Sequence, residues 1–492
     1  MKNYTDLELL RLSKAKRTGH KIGVTFRSIP GKFKRLGIKI GLFFKNLVFG
    51  IGHWFRDIAL TFVRGDWKTK VSYFVMGFGN VSRKQIFRGI LFFFFEVIFI
   101  LYMALFGGRY LSKLYILGTN EKTIVDGVEL PGDNSFNILL YGVLTLFFII
   151  AFIYTWNLNI KQNRINEQIL KDQKQLDTGK DDLRALIDKN FHKTLLALPT
   201  IGIIIFTVLP IFFMILVAFT DYEASHSTFF GWVGFDNFGQ LFNWSNSGGS
   251  KFSMTFGQIL LWTLIWAFFA TFTNYFIGML IAMLINKKGI KLKKLWRTVL
   301  VFSIAIPQFI SLLFVSKMFT TDGIINSLFH THIDFWNNQW SARICVIIIN
   351  LWIGVPYLML VVTGILMNIP KDLYESANID GANGFQQYTK ITLPYMLFIT
   401  GPYLLTSFTG NMNNFNVIYL LTGGGPTDPI NPMYGDAGKT DLLITWLYNL
   451  AINKSDYKFA AVVGILVFIV VAAISLIVYN IIPSTKNEET FQ

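Results

Sequence analysis

Eight apolar stretches dominate the chain: 89–107, 137–156, 194–219, 257–286, 298–318, 343–368, 393–421 and 459–482. Each approaches or exceeds the ~20 residues that an α-helix needs to cross ~30 Å of hydrocarbon. A ninth stretch, 36–63, is also apolar, but Lys39, Lys45, His53 and Arg56 interrupt it. It reads as an amphipathic helix lying on a membrane surface. Segment 161–190 is polar and suits a helix outside the bilayer. Residues 229–242 alternate aromatics with Gly and Asn, which predicts a short external helix packed along the outer face. The pattern is that of an all-α membrane protein with eight transmembrane helices.

Composition agrees. The 492 residues are 52% hydrophobic and 15% charged, with a mean hydropathy of +0.46. A soluble domain needs about a quarter of its residues charged, so a soluble enzyme is excluded. Most of the net charge of +16 comes from residues 1–88, where nineteen Lys/Arg face four acids. Next to a membrane span, such a block reads as a cytoplasmic segment facing anionic lipid rather than as a nucleic-acid site. Loops 157–193 and 287–297 are also rich in Lys and Arg. Loops 221–256 and 319–342 hold one lysine between them, Lys251. Eight spans put both basic loops on the side of the N-terminus, so both termini are expected in the cytoplasm. The divisions that follow are a basic segment 1–88, two extra spans with a linker over 89–193, a six-span core over 194–482 and a tail over 483–492.

The chain carries no visible means of powering transport. Gly435-Asp-Ala-Gly-Lys439-Thr440 imitates a phosphate loop, but the first glycine of that motif is replaced by Met433. The six histidines are scattered, no HExxH sequence occurs, and the single cysteine, Cys345, rules out a disulfide within the chain. An ion-coupled secondary transporter would show ionisable groups in mid-span. Only Glu96 lies deep in a span, and it reads as paired inside the bundle rather than as a proton relay; Lys317 sits near a span end and can snorkel. No cofactor is expected in this chain.

Residues 370–394, between the sixth and seventh spans, have the look of a docking knob. Pro370 and Asp372 suit a helix start, and Leu373, Tyr374 and Ala377 share a face. Gly381 lets the chain turn, and Phe385, Tyr388 and Ile391 form a second short face before Pro394. Two short amphipathic helices make a knob for a partner's groove. The order Glu375-Ser376-Ala377, Gly381, Ile391-Thr-Leu-Pro394 resembles the EAA motif of ABC importer permeases, with serine replacing the first alanine. The resemblance implies a type I importer core, alternating access, and a coupling helix seated in a cleft of a nucleotide-binding subunit that Glu375 contacts.

Further motifs narrow the resemblance to MalF-type maltose permeases: Asn350-Leu-Trp-Ile-Gly354-Val-Pro-Tyr357, Ser407-Phe-Thr-Gly-Asn411-Met-Asn-Asn414-Phe415, Leu420-Leu-Thr-Gly-Gly-Gly-Pro426 and Thr440-Asp-Leu-Leu443. The similarity covers most of 190–482. One departure is plain: enterobacterial members insert a large external domain after the third span, whereas here only residues 220–256 separate it from the fourth. The i, i+4, i+7 spacing places Ser407, Asn411 and Asn414 on one helix face and Asn350, Gly354 and Tyr357 on another. By resemblance these six line a maltose pocket. Amides and hydroxyls pair with sugar hydroxyls, Tyr357 and Phe415 offer ring faces, and Gly354 leaves room for a sugar ring. The bland alternative is that the polar groups only tie helices together. The resemblance also implies the partners: a second permease, an ATPase dimer that binds ATP and Mg, an extracellular solute-binding protein, an oligosaccharide and membrane lipid. The alternative substrates are other oligosaccharides, such as raffinose-like sugars; the rival class is an ion-coupled transporter.

Overall fold

Long apolar runs satisfy their own backbone only as helices, and the computed structural model is helical apart from one short hairpin. It describes residues 41–481 except 43, 44, 121, 122, 126, 127, 131, 241–246 and 288. In chain order the helices are α1 (45–64), α2 (Trp67–Val71), α3 (Phe78–Val81), α4 (Ile86–Lys113), α5 (Ser135–Lys171), α6 (Gly179–Ile187), α7 (Phe191–Val217) and α8 (Asp236–Gly239). There follow α9 (Lys251–Asn286), α10 (Lys293–Ala305), α11 (Gln308–Met318), α12 (Ile324–Phe329), α13 (Gln339–Leu366), α14 (Lys371–Ile379), α15 (Leu393–Met412), α16 (Phe415–Thr422), α17 (Leu443–Tyr448) and α18 (Tyr457–Ile481). Two strands of three residues each, β1 (Thr123–Val125) and β2 (Val128–Leu130), pair antiparallel in a hairpin that the sequence did not announce.

Among the described residues, seven helical stretches are long and apolar enough to cross a membrane, and α10 with α11 supplies an eighth as a broken span bent by 90°. The break falls at Ile306, whose extended backbone (ψ 129°) precedes Pro307, the residue type that removes a donor and disfavours helix before it. The polar segment 161–190 divides: its first part simply prolongs α5 to Lys171, and α6 is separate. The short helix expected in 229–242 is the single turn α8; residues 241 and 242 lie outside the described residues. The surface helix expected over 36–63 is described from 41, and Val48, Phe55 and Val63 are exposed along α1. Residues 1–40 and 482–492 lie outside the described residues, so the basic segment is seen only from 41 onward.

The chain divides into two units, 1–109 with 144–202, and 110–143 with 203–492. The first unit is held by buried polar groups. The Arg83 side chain, 1% exposed, bonds Asp66 at 2.6 Å and donates to Asn163 Oδ1 at 2.6 Å. Asn159 donates to the Ser72 carbonyl (2.8 Å), and Asn166 to Gln85 Oε1 (2.7 Å). Buried amides and charges are tolerable only when paired in this way. Burial pushes the Asp66 carboxyl up, but hydrogen bonds with Glu167, Thr69 and Arg83 outweigh it and hold the group at about 2. Glu96 is buried and accepts the Met76 amide at 2.8 Å, so it is paired, as its position suggested.

In the second unit α9 is the axis of two apolar clusters. One gathers Trp262, Trp266 and Ala270 of α9 with Val346, Ile349, Val417 and Leu421. The other gathers Tyr275, Met279 and Ala282 with Leu358, Met359, Met396 and Leu404. Between them, α9 carries Thr271, Thr273 and Asn274, and α13 carries Asn350.

Candidate functional site

The polar belt between the two clusters contains Thr271 and Asn274 of α9, Asn350 and Gly354 of α13, and Ser407 and Asn411 of α15. Asn411 Nδ2 donates to Thr271 Oγ1 at 3.0 Å, and the Trp266 indole donates to the Asn411 carbonyl at 3.0 Å. Gly354 lies directly against Asn274: a Cβ added there would stand 2.3 Å from Asn274 Nδ2. Gly278, one turn further along α9, meets α13 the same way, with a Cβ position 2.9 Å from Leu358 Cβ and 3.2 Å from the Met359 amide. Small residues permit this close crossing of helices. The expected space beside Gly354 is therefore occupied by an amide.

Two atoms of the belt are buried without a hydrogen-bond partner: Asn274 Oδ1 and Asn350 Nδ2. Asn274 spends its Nδ2 on the Ala270 carbonyl at 2.7 Å, and Asn274 and Asn350 are each 5% exposed. An orphaned buried polar atom costs ~1–3 kcal/mol, so one acceptor and one donor left open in the same belt point to a hydroxylated visitor or water.

The six residues singled out from the sequence divide among three settings. Asn350 and Gly354 face α9. Ser407 and Tyr357 come within interaction range of a shared neighbour, Tyr403, and Tyr357 is half exposed. Asn411 and Asn414 are joined, Asn414 Nδ2 donating to Asn411 Oδ1 at 3.4 Å. Asn414 is not on the continuous helix face that its spacing suggested. Helix α15 ends at Met412, and Asn414 caps α16, its Oδ1 accepting the Val417 amide at 3.3 Å. Thr271, Asn274 and Tyr403 escaped the sequence reading. A lone amide or hydroxyl in an apolar run carries no local signal of which helix it meets.

The coupling segment forms as a helix, a glycine turn and a second helix. Pro370 opens α14, and Gly381 takes φ +73°, the left-handed region that glycine enters without cost. The second piece is not separate: turns at Gly384–Gln387 and Tyr388–Thr392 run on into α15. The Tyr374 hydroxyl reaches Thr392 Oγ1 at 2.8 Å and fastens α14 to that helix. Glu375, Ser376 and Gly381 are exposed, Ala377 and Ile391 half-buried, and Pro394 lies in the first turn of α15. Ile379 and Phe385 are 87% and 75% exposed, so the knob presents two large apolar side chains that nothing in this chain covers among the described residues.

At the end of the bundle opposite this knob, residues 423–442 fold back over α17. Asp441 is buried there; desolvation pushes its carboxyl up to about 6 against hydrogen bonds from the Gly438 amide (2.8 Å) and Thr445 hydroxyl (2.7 Å).

The family described as "Binding-protein-dependent transport system inner membrane component" matches residues 274–486, the stretch that holds the knob and all of the belt except Thr271. The maltodextrin transport system permease protein MalC of Streptococcus pneumoniae is 33% identical over 429 residues, covering 82% of this chain and 93% of that protein. The galactooligosaccharides transport system permease protein GanP of Bacillus subtilis is 32% identical over 431 residues, covering 84% and 97%. Among solved structures, a bacterial alginate ABC transporter chain aligns over 61% of this chain and 97% of its own length, with 22% identity and a TM-score of 0.49.

Proposed function

Since the chain belongs to the family of binding-protein-dependent transport system inner membrane components, and is thus a multi-pass subunit of an ATP-binding-cassette importer, we propose that it passes maltose and maltodextrins through the polar belt of α9, α13 and α15. The observation that carries the sugar reading is the belt itself, with an unpaired buried acceptor on Asn274 and an unpaired buried donor on Asn350. Hydroxyl groups that donate and accept satisfy both at once. The maltodextrin permease among the relatives names the substrate class.

The partners follow from the same reading: a homologous second permease completes the pathway, an ATPase dimer binds ATP and Mg and receives the α14 knob, and a solute-binding protein delivers sugar. Catalysis lies outside this chain. Closure of the ATPases moves the knob, and the belt opens to alternate sides. Membrane lipid surrounds the spans and faces the basic N-terminal segment; no nucleic acid is involved.

Asn411→Ala removes an amide from the belt, an expected loss of ~1–3 kcal/mol, or roughly a five- to 150-fold rise in the sugar concentration for half-maximal uptake. Uptake of maltose and maltotriose, normalised to assembled complex, measures it. If half-saturation and maximal rate stay unchanged, the belt is not the sugar path. The galactooligosaccharide permease among the relatives favours a second reading, in which the sugar is a galactoside; competition of each sugar against maltose uptake decides between them.

Both termini and the knob lie on the cytoplasmic side in this proposal. With Cys345 replaced, a cysteine at Ile430, which is 85% exposed, is expected to react with an impermeant thiol reagent in whole cells. A cysteine at Lys291 reacts only after permeabilisation; the reverse pattern inverts the topology.

A further inference from the structure

A second group of residues follows the belt where α15 ends and α16 begins. Immediately after the capping Asn414 come Phe415 and Tyr419, one turn apart on α16, with stacked rings whose centroids are 4.7 Å apart. Tyr448, at the end of α17, stands edge-on to both at 5.0 and 5.3 Å. The platform is not core packing. Trp446, two residues before Tyr448 on the other side of α17, is fully buried, whereas Tyr419 is 41% exposed.

Beside the rings opens a cavity of 270 Å³, lined among others by Tyr419, Thr445, Tyr448, Asn449, Asn453 and Asp436. Its amides are already oriented: Asn453 Nδ2 donates to Asn449 Oδ1 (2.8 Å), and Asn449 Nδ2 to the Gly435 carbonyl (2.9 Å). Asp436 and Lys454 pair at the rim. An apolar guest would strand these polar walls, and an anion would meet the carboxylates of Asp436 and Asp441. A pyranose ring satisfies both halves, its C–H face on the aromatic rings and its hydroxyls on the amides. Asn414, which bonds Asn411 of the belt and caps the helix that carries Phe415 and Tyr419, ties belt to platform, so one extended glycan can touch both.

We infer that Phe415, Tyr419 and Tyr448, with the cavity beside them, form an outer subsite that holds the glycosyl units of a longer oligosaccharide beyond those held by the belt. The inference rests on the sugar reading proposed above. It makes this subunit sensitive to oligosaccharide length independently of the solute-binding protein.

The test uses the assembled importer with its solute-binding protein, and measures uptake against maltose and maltohexaose concentration per assembled complex. Tyr419→Ala and Tyr448→Ala are each expected to raise half-saturation for maltohexaose about two- to tenfold, with maltose nearly unmoved. Asn453→Ala changes an exposed side chain bonded only to the neighbouring Asn449 amide among the contacts described, and is expected to shift maltohexaose in the same direction by less. Equal shifts for both sugars overturn the subsite. So does a fall in assembled complex with unchanged length dependence, which would make the rings a subunit interface. An unmodified importer that takes up no dextrin of any length overturns the sugar reading first, and the subsite with it.

Discussion

Glu375→Ala combined with Gly381→Val is expected to abolish sugar-stimulated ATP hydrolysis while the protein still inserts and its sugar sites stay intact. The two changes act through different physics. Gly381 has φ +73° and no atom within 4 Å of its absent Cβ, so the space is free and the cost is purely backbone. A β-branched residue in the left-handed region costs ~1–2 kcal/mol, enough to re-aim α14 relative to the helix that follows. Glu375 is exposed, so its loss leaves this chain's own packing in place and, in the proposed coupling, removes a contact to the ATPase. Phe385→Ala, which deletes one of the two protruding apolar side chains, is expected to weaken coupling through lost burial at the ATPase, with an effect of hot-spot size, about 2 kcal/mol or more. The measurement is ATP turnover with and without loaded solute-binding protein, at equal amounts of assembled complex. Normal stimulation in the double variant removes α14 from the coupling path.

How far this architecture was written in the sequence depends on the range of the signal. Spans are local: an apolar run of ~20 residues declares itself, and all eight predicted runs are found, the fifth as a broken pair. Its break was also local in principle, since Pro307 stands in the run, but a proline alone does not say whether a helix kinks or turns through 90°. The coupling loop was legible because Pro370 and Gly381 punctuate it, although the second half of the knob runs unbroken into α15. Other features depend on residues far apart. Arg83 looked like one more charge in a basic segment, yet it is buried against Asn163, 80 residues away. The faces of α13 and α15 were read from spacing, but α9, which lies against both, was not. Nothing beside Asn274 in the sequence indicates Gly354. The capping role of Asn414 was hidden because a helix pattern continues across the break at Asn413.

That missing helix reverses the reason for the second large effect, on Gly354. Read from spacing alone, Gly354→Leu blocks the space a sugar ring needs. In the structure the first atom of any side chain there falls 2.3 Å from Asn274 Nδ2 and 2.7 Å from its Cγ. Asn274 cannot simply swing aside, because it would give up its 2.7 Å bond to the Ala270 carbonyl. Its Oδ1 is already unpaired. Leucine therefore forces α9 and α13 apart along the crossing that Gly278 and Gly354 permit. Overpacking of this kind costs roughly 1–3 kcal/mol, and more where backbone must move. The expected result is a sharp fall in assembled, heat-stable complex, not merely a raised sugar requirement. Gly354→Ala is expected to show the same defect in milder form. Combining it with Asn274→Ala relieves the clash and restores the amount of complex, since the amide that was struck is gone. Half-saturation for maltose in that double variant stays raised, because the belt has lost an acceptor. Thermal stability of the purified complex and uptake per complex separate the two effects. A Gly354→Leu protein that accumulates and melts like the native one, with only its sugar requirement raised, would refute the helix-contact account and return Gly354 to the sugar's space.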